Sequence, residues 1–446
     1  MKKKITIVFC IFILLSLVGC GGSDAANNNT STNNNQSLDN ESLDNESVKT
    51  ETTDDAIKSL EKQFVALKED NIEWDYNSSS KTIIISGEGP MKDYLDAPPE
   101  WDVYYAEAEH VVISDKVTSV GASAFLFFSA LNDVDLGNTV EFVGDAAFSN
   151  CIALRSVDFS PNLKYVGIGA FNNALLHSET GFVFPEGMLY IGNDAFRSAF
   201  KENTVSIPAS LSYIGEGAFA NTFVSGFLVD ENNPNYASAD GVLYDKQIST
   251  LINYPADKKD VTYEIPNTVT TIKKDAIEVT NTLEKIIIPA GVSKIDEESI
   301  FWNYALTNIE VDSNNKNYKT DNGVLYTADG KLLICYPIAS DRTEYSIIEG
   351  CERICDYALS QANNLVELHA SEGLKEIGCY SLYLCNSLEK VGLPKGLKII
   401  DSNAFNYCDA LTRIDFTGSS DDWKQVEIKD KNELLTDGRV QIYCVE

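Results

Sequence analysis

Residues 143–159 read VGDAAFSNCIALRSVDF, and the same order of small, apolar and turn residues returns along most of the chain. Counted from Phe148, an apolar residue and usually Gly come first, two free positions follow, and Ala-Phe closes the motif. A small residue stands three places after the Phe and an apolar residue six places after, leading into an alternating run. The Phe position is held by Phe125, Phe148, Phe171, Phe196, Phe219, Ile277, Ile300, Leu359, Leu382 and Phe405, at intervals of 23, 23, 25, 23, 58, 23, 59, 23 and 23 residues. A period of this length predicts a solenoid, because one unit cannot bury its apolar side alone and must stack on its neighbours. The expected fold class is therefore a β-rich repeat solenoid, with ten coils legible.

The register is set by sterics. Five places before each Phe position stands a β-branched residue: Val120, Val143, Val166, Ile191, Ile214, Ile272, Ile295, Ile354, Ile377 and Ile400. This predicts one inward-facing ladder. The residue just before the Phe position is Ala or Ser in every coil, as expected where successive backbones approach closely. The alternating segments, such as residues 131–136 and 154–159, predict half-buried strands. Pro161, Pro185, Pro208, Pro266, Pro289 and Pro394 stop many of them, since Pro has no donor for the ladder. The third coil is irregular at residues 177–182, which predicts a remodelled turn. Two similar insertions, residues 230–263 and 312–345, each hold GVLY, a polar turn and a second β-rich run ending in Tyr-Pro. They predict hairpins laid on the solenoid, with Asp329-Gly330 as a turn in the second.

The ends depart from the period. Lys2, Lys3 and Lys4 precede an apolar run that closes at Leu17-Val18-Gly19-Cys20. Residues 1–19 read as a secretory signal, and the last four resemble the bacterial lipoprotein signal, by which Cys20 is the lipid anchor. Residues 20–53 are then expected to form a polar, disordered tether, with too little apolar surface to fold. The helical spacing of Ile57, Leu60, Phe64 and Leu67 opens an N-terminal cap over residues 54–109, completed by two strands around a Ser-rich turn. The solenoid proper is expected over residues 110–416. Residues 417–446 form a C-terminal cap, with Trp423 over the open end of the core.

The units VGASAF, VGDAAFSNCIAL, IGNDAF, IGEGAF and IGCYSLYLCNSL closely resemble the BspA-type leucine-rich repeats of bacterial surface proteins. The segments NPNYASADGVLYDKQISTLINYP and FTGSSDDWKQVEI are similar to others in that family. The resemblance implies a curved right-handed solenoid with a parallel strand per coil on the concave side, surface exposure, and binding of proteins or host surfaces. It implies no catalytic residue. The pattern departs from the family where Ile277, Ile300, Leu359 and Leu382 replace Phe, and where Lys273, Asp296, Cys355 and Asp401 replace Gly.

Charge agrees with an exported binding or spacer protein. The formal net charge of −32 becomes −35 once Lys2, Lys3 and Lys4 leave with the signal. Such a surface has no basic patch to displace phosphate counterions, so nucleic acid is not an expected partner, and membrane contact is expected only through the lipid. His110, His177 and His369 lie in different coils, without a metalloprotease, nucleophile-elbow or phosphate-loop motif. No catalytic set, cofactor or metal site is expected. Asp230 to Asn233 and Asp312 to Asn315 are oxygen-rich, of the calcium-ligand type, but Asp and Asn also build turns by bonding their own backbone, and turns are the expectation. Cys151, Cys385 and Cys408 occupy the small position after the Phe and read as buried. Cys355 and Cys379, nearly one coil apart, are the candidate disulfide pair.

If the strands line a concave face, its outward positions are Asp133, Asp135, Ser156, Asp158, Thr204, Ser206, Lys285, Ile287, Asn308, Glu310, Glu367, His369, Lys390, Arg413 and Asp415. These are the candidate binding residues. They form one stripe, acidic and hydroxylic in its first half and mixed in sign at its end, which a protein or surface ligand would meet as a graded field. The expected function is non-catalytic, adhesion-type binding. The alternatives are a structural spacer of the envelope and an enzyme with an unrecognised site.

Overall fold

A computed structural model describes residues 71–178 and 181–445, without the side chains of Glu202 and Asn203. The expected signal, Cys20, the tether and the helix starting at residue 54 lie outside the described residues. The described chain is a β-solenoid of about 13 parallel-strand turns, almost without helix.

Each regular coil contributes one short strand, one longer strand and a tight turn edge. The short strands carry the β-branched ladder in perfect register: Val120 pairs with Val143, Val143 with Val166, Val166 with Ile191 and Ile191 with Ile214. Val120, Val143, Val166 and Ile191 are almost wholly buried, and a branched side chain packs well on this pleated surface.

The turn edge follows from a repeated reversal of φ. Ala146 and Asn150, two residues either side of Phe148, have φ of 52° and 60°. The same two places are left-handed in other coils, as at Ser123 and Phe127 or Asp194 and Ser198. The reversals aim alternate amides at the next coil: Ala146 N–H donates to Ile168 O, Phe148 to Ala170 O and Asn150 to Asn172 O, at 2.7–2.8 Å. No amide of this set is left buried without a partner.

Inside that edge the phenylalanines stack. Ring centroids are 5.2 Å apart for Phe125–Phe148, 5.3 Å for Phe148–Phe171 and Phe171–Phe196, and 6.0 Å for Phe196–Phe219, with interplanar angles of 9° or less. The glycines four places before each Phe let coils approach. A Cβ on Gly192 would stand 2.7 Å from the backbone of Gly167 and Ile168.

The insertions differ from the expectation. Neither is a hairpin laid on the surface; each is a three-stranded meander that enters the solenoid. In the first, Tyr236–Ala239, Val242–Asp245 and Thr250–Asn253 pair antiparallel, and the third strand joins the parallel ladder, with Leu251 opposite Ile272. In the second, Tyr318–Asp321, Val324–Thr327 and Leu332–Cys335 do the same, with Leu333 opposite Ile354. Each insertion thus supplies a coil of its own.

The middle strand of each meander is buried on both sides and partitions the interior. Leu243 belongs to the first core, while Val242 and Tyr244 face a second. Leu325 faces that second core, while Val324 and Tyr326 face a third. A strand covered on both faces needs a continuous apolar run rather than alternation, which is why both copies read GVLY. Where the ladder stops, a hydroxyl ends it: Ile214 N–H donates to Tyr236 Oη at 2.8 Å and Ile295 N–H to Tyr318 Oη at 2.7 Å.

The ladders run beyond residues 110–416. Thr82–Gly87 pairs in parallel with His110–Ile113 at one end, and Gln441–Cys444 pairs with Arg413–Phe416 at the other. The Ser-rich turn joins Ile72–Asn77 to Thr82–Gly87 as an antiparallel pair. Trp423 packs edge-on to Phe416, with centroids 5.2 Å apart.

Candidate interaction surface

The longer strands place the candidate residues in outward rows. Asp133 stands opposite Ser156 and Asp135 opposite Asp158. Lys285 stands opposite Asn308 and Ile287 opposite Glu310. Glu367, Lys390 and Arg413 form one row, and His369, Gly392 and Asp415 another. Thr204 and Ser206 lie on Lys201–Ile207, between Phe182–Val183 and Phe223–Val229.

The single continuous stripe is not what forms. The longer strands make four separate sheets. The first break follows Ser156–Asp158, where His177 N–H still donates to Arg155 O but Ser178 turns away, its Oγ donating to Gly181 O. The other two breaks are the insertions, whose tip carbonyls at Gly241 and Gly323 accept from Phe227 and Ile309.

The mixed field expected at the end is neutralised within the face. His369 Nε2 lies 3.1 Å from Glu344 and 3.3 Å from Glu367. Lys390 pairs with Glu367 and, at 3.2 Å, with Asp415. Arg413 reaches Asp415 at 2.7 Å and covers the ring of Tyr443 at 4.5 Å. Lys285 pairs with Glu310 at 2.7 Å. In the first sheet Asp133 meets His110 Nδ1 at 2.7 Å, but Asp135 and Asp158 carry no ion pair among the described residues.

Sequence reasoning missed several members of these rows. Thr82 and His110 continue the row of Asp133, and Ile84 and Val112 continue that of Asp135. Val183 and Leu228 flank Ser206 and are exposed, at 68% and 56%. The β-branched and apolar runs at residues 82–85, 110–113 and 223–229 were the available signal for most of them, although none alternates. An open cleft of about 300 Å³ lies at the strand ends of the third sheet, where Glu264, Ile287, Glu310 and Asp312 line it.

The oxygen-rich loops are turns. Asp230 Oδ1 accepts from Asn232, Asn233 Oδ1 from Asn235 and Tyr236, and Asn233 Nδ2 donates to Pro208 O and Leu211 O. Asp312 and Asn315 repeat the arrangement. The cysteines of the small position are buried, and their thiols donate one coil back: Cys151 to Phe125 O, Cys385 to Leu359 O and Cys408 to Leu382 O, at 3.0–3.2 Å. Cys355 and Cys379 are both buried and are not joined in a disulfide.

The BspA-type leucine-rich repeat region profile matches six copies, over residues 103–225, 258–322 and 339–430. The chain belongs to the BspA-type leucine-rich repeat family. Proteins of this BspA-type family are typically found on bacterial surfaces, and its repeats are generally non-catalytic modules of protein interaction. The chain is similar to a leucine-rich repeat protein of Eubacterium ventriosum, at 22% identity, with 81% of this chain and 72% of that one covered and a TM-score of 0.34. It is also similar to a leucine-rich cell surface protein of Faecalibacterium prausnitzii, at 20% identity, with coverage of 81% and 97% and a TM-score of 0.45. The pneumococcal vaccine antigen PcpA is 14% identical, with coverage of 86% and 99% and a TM-score of 0.30. No curated protein sequence matches the chain.

Proposed function

We propose that this protein is held at the bacterial surface by a lipid on Cys20 and binds a protein or surface ligand through the outward rows of its longer strands, without catalysis. The observation that carries the reading is the contrast between the two ends of the face. In the last sheet the charges are spent on one another, whereas Asp135 and Asp158, directly opposite on neighbouring strands, have no counter-ion among the described residues. Like charges placed opposite one another destabilise a sheet, so a partner that supplies the missing cations gains from both. Exposed Ile84 adds apolar area to the same row two strands away, and exposed Val183 and Leu228 add it on the second sheet. Solenoids present such surfaces for binding.

The test pairs two experiments. Asp135→Lys with Asp158→Lys is expected to abolish retention of host or bacterial surface proteins by the immobilised chain, and unchanged retention of all of them refutes the face. Protease shaving of intact cells is expected to release solenoid peptides, and Cys20→Ala to shed the protein into the medium. Coils protected until the envelope is broken would refute surface display. The second reading, a structural spacer, is favoured by the internally paired charges of the last sheet. A face that captures nothing from intact cells is its expected result.

A further inference from the structure

The two insertions create the same gap at the turn edge and close it differently. In regular coils the amide two places after the Phe position donates to the next coil's carbonyl. At each insertion that coil is replaced by a shorter Tyr-Pro segment, and the edge is bridged instead by side chains from farther along the chain. At the second junction the bridge is aromatic and neutral. Trp302 Nε1 donates to Ser360 Oγ at 2.9 Å, and Phe301, Trp302 and Tyr357 pack on one another at 5.3–5.8 Å.

At the first junction the same offsets carry charge. Asn221 stands where Trp302 does, Glu278 where Ser360 does, and Asp275 where Tyr357 does. Asn221 N–H donates to Glu278 Oε1 across 57 residues of chain. Glu278 and Asp275 are buried, with 4% and 3% exposure. Arg197 reaches in from the fourth coil, 3.5 Å from both Asp194 and Asp275. Arg197 Nη1 and Asp275 Oδ1 are buried without a hydrogen bond. Two carboxyl groups thus share one guanidinium, with that of Glu278 close enough to feel its charge. Lys274 stands beside Asp275 but pairs with Glu298 at 3.1 Å, and Glu216 and Tyr357 complete the charged and titratable surroundings.

The fold does not require this charge, since the neutral solution stands one insertion later. Buried ion clusters are commonly no more stabilising than apolar residues of the same volume, so what the charge adds is a response to protons. We propose that the first insertion junction is a proton-operated clasp: it stays shut while Glu278 keeps its proton and opens by giving that proton to solvent. Burial and the neighbouring Asp275 push the Glu278 carboxyl up to about 8. Once open to water, the same group returns to the ordinary glutamate range. Between those two values each opening releases one proton, so opening grows about tenfold per pH unit and levels off above the upper one. The arms on either side of the first insertion are therefore joined more tightly in mild acid than at neutral or mildly alkaline pH. This inference does not rest on the binding reading.

Hydrogen exchange of the full chain from pH 5 to 9, corrected for the intrinsic pH dependence of amides, tests it. Protection of the Asn221 and Tyr254 amides is expected to fall about tenfold per unit up to pH 8. The Tyr336 amide, which donates to Ala358 O at the second junction as Tyr254 does to Ala276 O at the first, is expected to stay flat. Glu278→Gln, which keeps an oxygen for Asn221, is expected to remove the slope without removing the protection. Asp275→Asn is expected to keep a slope that ends at lower pH. A slope that survives in Glu278→Gln, or that appears equally at Tyr336, overturns the proposal.

Discussion

Phe148 is the place to ask whether the solenoid is stable as a whole or coil by coil. Its ring is fully buried and stacked between Phe125 and Phe171, so Phe148→Ala removes a ring's burial and two stacking contacts. Truncations of this kind cost about 3–5 kcal/mol, of which the two stacks supply roughly 0.5–1.5 kcal/mol each. In a stack of repeats the cost stays with the coil and its neighbours. Here it is also screened from the third core by the strands at Val242–Asp245 and Val324–Thr327. Hydrogen exchange of the variant is therefore expected to show losses of roughly a hundredfold to several thousandfold at the amides of Phe125 and Phe148. The amides of Leu359 and Leu382, bonded to Ser381 O and Ala404 O, are expected to be unchanged. A double-mutant cycle sharpens the result: Phe148→Ala with Phe171→Ala is expected to show a coupling of about 0.5–3 kcal/mol, and with Phe405→Ala additivity within about 0.5 kcal/mol. Equal loss of protection at Leu382, or coupling to Phe405, would refute the reasoning.

Gly192→Ala is expected to lower the melting temperature through a cost of about 1–3 kcal/mol, because the added Cβ meets the preceding backbone. Gly187→Ala, with nothing within 4 Å of the new Cβ, is expected to be neutral or stabilising by up to about 1 kcal/mol; thermal melts by circular dichroism compare the two. Burial pushes the thiols of Cys151, Cys335 and Cys355 up to about 12 and that of Cys351 to about 11. A thiol reagent at pH 8 is therefore expected to label Cys444, the one partly exposed thiol among the eight described, and to reach the rest only after denaturation. Mass mapping reads this directly, and rapid labelling of Cys355 or Cys379 would count against their burial.

Most of the coil was legible because its constraints are local. The β-branched ladder, the Ala or Ser before each Phe and the turn residues all lie within one period, and each is imposed by the coil stacked next to it. The partition strands were not legible, because a four-residue apolar run flanked by turns fits a surface hairpin as well as a strand buried on both faces. The pairing within the last sheet was readable in principle. Glu344, Glu367, Lys390 and Arg413 stand 23 residues apart in turn, which is one coil each, so their neighbours were fixed by the period. The junction of Asn221 with Glu278 was out of reach, because it depends on how far an insertion displaces the turn edge, and no local pattern encodes that distance.

The tyrosines that end the first two ladders have a consequence for how such a chain changes length. Tyr236 and Tyr318, Tyr244 and Tyr326, Tyr254 and Tyr336, and Ile277 and Leu359 all stand 82 residues apart. The unit copied is thus a cassette that brings its own terminator for the ladder before it and its own first rung for the ladder after it. Excision of residues 230–311 would present Tyr318 to Ile214 in place of Tyr236, with no strand edge newly bared. Loss or gain of one cassette would thus change the reach of the solenoid by 82 residues while the ladder before it still ends on a tyrosine hydroxyl, so that reach is set separately from the chemistry of the exposed rows.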